Sequence, residues 1–317
     1  MKTIAFHDNN LCLRGTTIAM YEYADYNERI LGNKSIILSS PGGDLSALPK
    51  FKQRFADVHL MHFCDYEKFL VSSGAEKLYI IKSGGKSDGI CLGNFPSLIH
   101  VVFRSNEPHG HRYKYVSDWL ARDQGHDPAT HSVPHMVEKL PESAYDLREK
   151  LGISKSKTVF GYYGGATEFN IRDVHEAIAE TVKKRDDIVF LFMNVNTFSD
   201  SHPNIIHLPG TYDMREKAAF IRACDAMIHA RGGGETFGKA VGEFAIENKP
   251  IVTYADSGER SHIEILGERG IYYRGYECIL DILNNLKKYA IRDDYYKAYD
   301  NYSPEIIMGK FDKLFLQ

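Results

Sequence analysis

Cysteine is scarce in this sequence and follows no pattern. Five occur in 317 residues, Cys12, Cys64, Cys91, Cys224 and Cys278, an odd number at wide spacing with no Cys-x-x-Cys pair. This argues against a disulfide framework or a structural zinc site and fits a reducing compartment. Long apolar runs are also missing. No segment reaches the roughly 18 residues that a membrane-spanning helix needs, and the opening MKTIAFHDNN turns polar too soon for a signal peptide. There is no basic block, and the formal net charge is −3, which argues against a general nucleic-acid binder. No Gly-x-Gly-x-x-Gly follows the first apolar run, so the dinucleotide fingerprint of a dehydrogenase is absent. With 43% hydrophobic and 26% charged residues, the chain reads as globular and cytoplasmic, long enough for two ordinary domains.

What the sequence does contain is alternation. TIAF (3–6), SIILSS (35–40), VHLMHF (58–63), KLYIIK (77–82) and LIHVVF (98–103) are short apolar runs, as are TVFGYY (158–163), IVFLFMNV (188–195), NIIHL (204–208), AMIHA (226–230), PIVTY (250–254) and GIYY (270–273). Each is nearly apolar on both faces, as in strands covered from both sides. Helix-length segments separate them, among them 16–31, 45–56 with Pro49 inside, and 171–187 with Ile171, Val174, Ile178 and Val182 at helical spacing. Such order predicts two doubly wound α/β domains with parallel sheets. The Pro-containing, charged stretch 133–157 places the hinge near 137–150. The expected division is 1–140, 141–300, and a last helix over 301–317 that starts at a Ser-Pro signal and crosses back to the first domain.

In open α/β sheets, ligands sit beyond the carboxyl ends of the strands. The loop after AMIHA reads RGGGETFGKAVGEF (231–244). Gly233, four residues and Gly238-Lys239 imitate a phosphate-binding P-loop, but Ala240 stands where Ser or Thr must hold magnesium. The alternative reading is a turn over Gly232, Gly233 and Gly234 opening a helix near Thr236, whose N-terminus would face a diphosphate. Glu235 and Glu243 would then offer two carboxylates to vicinal hydroxyls.

This stretch, followed by ENKPIVTY, resembles the E-x7-E signature of family 4 retaining glycosyltransferases. LPGTYDMREKAAFIRACDAMIHA (208–230), SVPHMVEKLP (132–141) and KYVSDWLARD (114–123) resemble the flanking segments of that family, in the right order. The resemblance implies a GT-B fold, with two Rossmann-like domains facing across a cleft. It also implies metal-independent, front-face transfer with retention from a nucleoside-diphosphate sugar to a glycan, glycolipid or other hydroxyl acceptor. No cofactor is implied, and peripheral membrane contact stays open. It assigns the donor sugar to Glu235, the ribose to Glu243, and sugar and diphosphate contacts to the backbone of Gly234, Thr236, Phe237 and Gly238. The Arg and Lys that family members carry after the first strand of the second domain are missing from GYYGGATEFNIRD (161–173), where Gly161, Gly164 and Gly165 would let backbone approach phosphate. Arg231 is the first candidate for the replacing cation, ahead of Arg172, Lys239 and Arg104. His109, in the loop RSNEPHGHRY (104–113), corresponds to a family histidine and joins Glu235 and Arg231 as a catalytic candidate. Arg104 and Asn106 would line the acceptor side with it, and Gly15, in the first loop with His7, Arg14 and Thr16, would abut phosphate or acceptor. His109 with His111 lacks the further ligands of a metal site, and no Asp-x-Asp triad occurs. A nucleotide-sugar epimerase of the same fold and a non-catalytic GT-B binding subunit are the competing readings.

Overall fold

The computed structural model describes residues 1–90 and 92–317; Cys91 lies outside the described residues. Two compact units emerge, Met1–Met136 with Tyr302–Gln317, and Val137–Asn301. The first is built on β1 (Thr3–His7), β2 (Lys34–Ser39), β3 (Val58–Leu60), β4 (Lys77–Lys82), β5 (Ser97–Val101) and β6 (Arg112–Tyr115). The second carries β7 (Thr158–Tyr163), β8 (Ile188–Met193), β9 (Ile205–Leu208), β10 (Ala226–His229), β11 (Gly234–Glu235), β12 (Ile251–Tyr254), β13 (Glu259–Arg260) and β14 (Gly270–Tyr273).

Both large sheets have six strands and one topology. Their orders are β3-β2-β1-β4-β5-β6 and β14-β12-β10-β7-β8-β9, and every pairing within them is parallel. In each, three strands run outward from the centre and the next three start again beside the first. The strand order therefore reverses between β1 and β4, and between β7 and β10. Such reversals open a crevice at the carboxyl edge. The composition explains the central strands. All six residues of IVFLFM in β8 and all five of SLIHV in β5 are buried, as required where helices cover both faces.

The strand expected over 58–63 is shorter. β3 stops at Leu60 and a 3-10 turn takes Phe63–Asp65, because an edge strand has only β2 to pair with. β6, a short strand at the other edge, begins at Arg112. The helix Leu48–Arg54 places Pro49 in its first turn, where no amide donor is needed. The terminal helix Pro304–Phe311 belongs to the first unit. Its Phe311 ring lies 5.1 Å from Tyr23 and 5.6 Å from Tyr79, and Lys77 Nζ donates to the carbonyl of Leu316 at 2.6 Å. Among the described residues, no helix is long and apolar enough to cross a membrane.

Gly161 is a packing residue. It lies inside β7, and a Cβ there would come 2.2 Å from Cys224 Sγ. It is therefore not part of the phosphate-facing loop that the sequence suggested. Gly161→Ala is expected to destabilise the protein by about 1–3 kcal/mol through overpacking, and the same change in a Cys224→Ala background should cost far less. Urea denaturation of the two single variants and the double variant measures this; additive losses would refute the contact.

Candidate functional site

The second unit gathers most of the singled-out residues at its strand-order reversal. After β10 the chain runs through Ala230 and Arg231 into a glycine turn, and β11 then pairs in parallel with β13. Gly234 has φ +79, and a Cβ there would lie 2.0 Å from the carbonyl oxygen of Glu259. Only glycine allows that approach. Gly238, at φ 89, then caps the helix Lys239–Ile246. The helix therefore starts three residues later than the sequence suggested. Glu235 sits on the two-residue ladder before it, while Glu243 lies within it. Thr236 and Phe237 form the turn between, and the buried Phe237 ring anchors it 5.9 Å from Tyr299.

The loop after β7 bends to meet this segment. Glu168 N donates to the carbonyl of Gly165, and the Gly164 carbonyl accepts from Asn194 Nδ2 at 2.7 Å. Asn170 bridges the loops, since its Oδ1 accepts from Gly232 N at 2.9 Å and its own N–H donates to the Ala230 carbonyl. Arg231 lies between two carboxylates, with Nε 2.5 Å from Glu168 and Nη1 2.9 Å from Glu235. Glu235 Oε1 accepts from His229 Nε2 at 3.2 Å. Behind His229, Nδ1 meets Thr253 Oγ1 at 2.9 Å, and Thr253 Oγ1 meets His262 Nε2 at 3.1 Å. His229, Thr253 and His262 are fully buried.

Electrostatics follow from these contacts. Burial alone would raise the Glu235 carboxyl. The His229 hydrogen bond and the charge of Arg231 outweigh it and pull the group from 4.5 down to about 2. Burial pushes His262 down to about 3, so it is neutral near pH 7.

Glu243 occupies a second buried cluster. Lys217 Nζ lies 3.1 and 3.2 Å from its two oxygens, and Lys239 Nζ lies 3.6 Å away. Lys217 also stands over the Tyr163 ring at 5.2 Å. Arg231, by contrast, stands between Glu168 and Glu235. Glu168, His229, Thr253, His262 and Lys217 went unnoticed in the sequence. His229 and Thr253 are register partners on adjacent parallel strands, so their side chains share a face, a pairing that only the assembled sheet reveals.

The first-unit candidates do not form one cluster. His109 Nδ1 donates to the Glu107 carbonyl at 2.7 Å, and its Nε2 accepts from the buried Lys82 ammonium at 3.1 Å. Arg104 instead pairs with Asp123 at 3.0 Å and covers Trp119, while Asn106 bonds Gln124 and His126. Gly15 is the first residue of the helix Gly15–Arg29. His7 is held between Asn9 and Tyr66. In the second unit Arg172 makes a surface pair with Glu176, with its side chain 89% exposed. Among the described residues no group of three or more His, Cys, Asp or Glu gathers as a metal site would.

No family model matches the sequence, and no curated protein matches it significantly. Solved structures do match along their whole length. A glycosyltransferase from Rickettsia africae has TM-score 0.72 at 14% identity, covering 99% of this chain and 97% of its own. HepE from Anabaena in complex with UDP-glucose has TM-score 0.73 at 13% identity, covering 99% of each chain. A candidate UDP-N-acetylglucosamine 2-epimerase from Listeria monocytogenes has TM-score 0.61 at 12% identity, covering 98% and 94%. These likenesses and the two sheets identify the fold as α/β of the GT-B type, with two Rossmann-like doubly wound units in one chain.

The depressed Glu235 carboxyl has a pH signature. A carboxyl whose folded value lies below its ordinary one stabilises the fold above that ordinary value, and the contribution is lost as pH falls from about 4.5 towards about 2. Glu235→Gln should therefore lose less melting temperature than the wild type between about pH 5 and about pH 3. Parallel curves in thermal unfolding would contradict the assignment.

Proposed function

We propose that the protein is a glycosyltransferase that takes a sugar from a nucleoside diphosphate and delivers it to a hydroxyl acceptor, without a metal and with retention. One observation carries this reading. At the reversal edge of a Rossmann sheet in a GT-B chain, two carboxylates eight positions apart stand in separate clusters, Glu235 beside His229 and Arg231, Glu243 beside Lys217 and Lys239. Glu235 is ionised, and each of its oxygens keeps a further lone pair beside its protein donor, which suits it to accept from sugar hydroxyls. Glu243, inside the helix, takes the ribose hydroxyls. The Lys239–Ile246 helix N-terminus, with Lys239 and Lys217 beside Glu243, supplies positive potential for the leaving diphosphate. In this reading these lysines replace the missing Arg and Lys better than Arg231, whose charge is shared by Glu168 and Glu235. Arg231 then acts by holding Glu235.

On the first unit, His109 is the candidate for the acceptor side; Arg104 and Asn106, held by Asp123 and by Gln124 and His126, are secondary candidates there. Front-face departure lets the leaving phosphate accept the acceptor's proton, so no protein nucleophile is needed. The UDP and UDP-glucose complexes of HepE favour a uridine nucleotide as the first donor to test. The epimerase-like neighbour keeps a second reading in play, in which the donor isomerises without any acceptor.

A thermal-shift panel of UDP-, GDP- and ADP-sugars should show one class raising the melting temperature by mass action. Glu243→Gln, which keeps the side-chain volume, should weaken that ligand about tenfold through lost hydrogen bonds to ribose. Product analysis separates the readings: glycosylated acceptor supports transfer, and an isomerised donor in acceptor-free buffer supports epimerisation. No shift with any nucleotide sugar would overturn both.

A further inference from the structure

Glu235 is the end of a buried chain of hydrogen bonds, and the groups along it favour one direction. An ionised carboxylate only accepts, so His229 must donate from Nε2. With one ring proton placed on Nε2, Nδ1 is a lone pair and accepts the Thr253 hydroxyl hydrogen. The Thr253 oxygen in turn accepts from His262 Nε2. This leaves His262 Nδ1 as a lone pair, and that atom has no hydrogen-bond partner. The opposite direction would put a proton on both nitrogens of His229, turn the Thr253 hydroxyl towards His262, and leave a buried His262 Nδ1–H without an acceptor. Orphaned buried N–H donors are rarer than undersatisfied acceptors, so the first arrangement is favoured.

We propose that Thr253 and His262 are positioning residues that act through His229 to fix the Glu235 carboxylate as a pure acceptor for a hydroxyl-bearing sugar. They touch no ligand themselves. Thr253 sits opposite His229 in the β10–β12 register, and His262 packs its ring 4.8 Å from that of His229. The backbone ladder thus holds one end of the chain and the helix Ser261–Leu266 the other. Arg231 fixes the second oxygen of Glu235 at 2.9 Å, so the carboxylate cannot rotate without breaking both contacts. The ligand preference follows: a hydroxyl donates to such a carboxylate, whereas a deoxy or O-methyl group at the same carbon cannot.

This inference rests on the donor-sugar reading of Glu235, but its test has an arm that does not. Full-length protein labelled with 15N-histidine, without ligand, should show His229 and His262 each as the Nε2–H tautomer at neutral pH. An Nδ1–H or doubly protonated His229 would overturn the relay whatever the protein's activity. The second arm compares two variants at Thr253. Thr253→Val keeps the shape and deletes the hydroxyl, and should lower kcat/KM for the nucleotide-sugar donor about tenfold, the loss of one buried hydrogen bond. Thr253→Ser keeps the hydroxyl and deletes a methyl, and should stay within about twofold, the cost of a small cavity apart. A purely structural role predicts the reverse order, and that result would overturn the proposal. If Thr253→Val does not fold, His262→Gln against His262→Leu repeats the comparison, since glutamine retains a donor for Thr253. If no nucleotide sugar is turned over, the donor reading fails while the tautomer result still decides the relay.

Discussion

A buried carboxylate must be hydrogen-bonded or it will not stay ionised. Much of the second unit's carboxyl edge is arranged around that requirement at Glu235. His229 holds one oxygen from the end of β10, and Arg231 holds the other from two residues further on. Arg231 in turn needs Glu168, which draws in the loop after β7. The glycine turn exists because Glu235 must come back towards the strand it has just left. That path brings Gly234 against the Glu259 backbone, where a side chain has no room.

The Glu243 cluster is built differently. Two ammonium groups flank its carboxylate, and one of them, on Lys217, comes from the neighbouring helix Met214–Ala223. Breaking such a buried set by removing one member is costly, because the others are left uncompensated. The two carboxylates are therefore held differently: Glu235 by an imidazole and a guanidinium, Glu243 by two ammonium groups.

How much of this could be read from the chain depended on how local the cause was. KLYIIK, TVFGYY and GIYY became strands with the expected bounds, because a run of apolar and β-branched or aromatic residues carries its own instruction. Strand ends at sheet edges were less legible: β3 lost half its expected length for want of a second neighbour. The helix start near Thr236 was misplaced because Gly238 adopts a left-handed backbone, which glycine permits without announcing it. Glu235 and Glu243 could be found from their spacing, but not their partners. Lys217 lies 26 residues before Glu243, and a lysine on an amphipathic helix reads as solvent-facing. His262 and Glu168 reach the site through tertiary packing alone. Gly161 misled for a related reason: a glycine beside a candidate loop suggests ligand approach, yet the atom that fills its space is a cysteine sulfur from a distant helix end.

His109 shows why geometry must follow resemblance. Its position after β5 fits a histidine facing an acceptor, but its state is set by two neighbours. Donation of Nδ1–H to the Glu107 carbonyl leaves Nε2 as the basic nitrogen, and the Lys82 ammonium occupies that lone pair. As arranged, the ring cannot take a proton from an incoming hydroxyl unless Lys82 moves away. Lys82 is itself buried, and a buried ammonium resists losing a partner. The pair is thus better suited to presenting positive charge and a fixed ring face than to general-base chemistry. What this ring can contribute is position and potential rather than proton transfer.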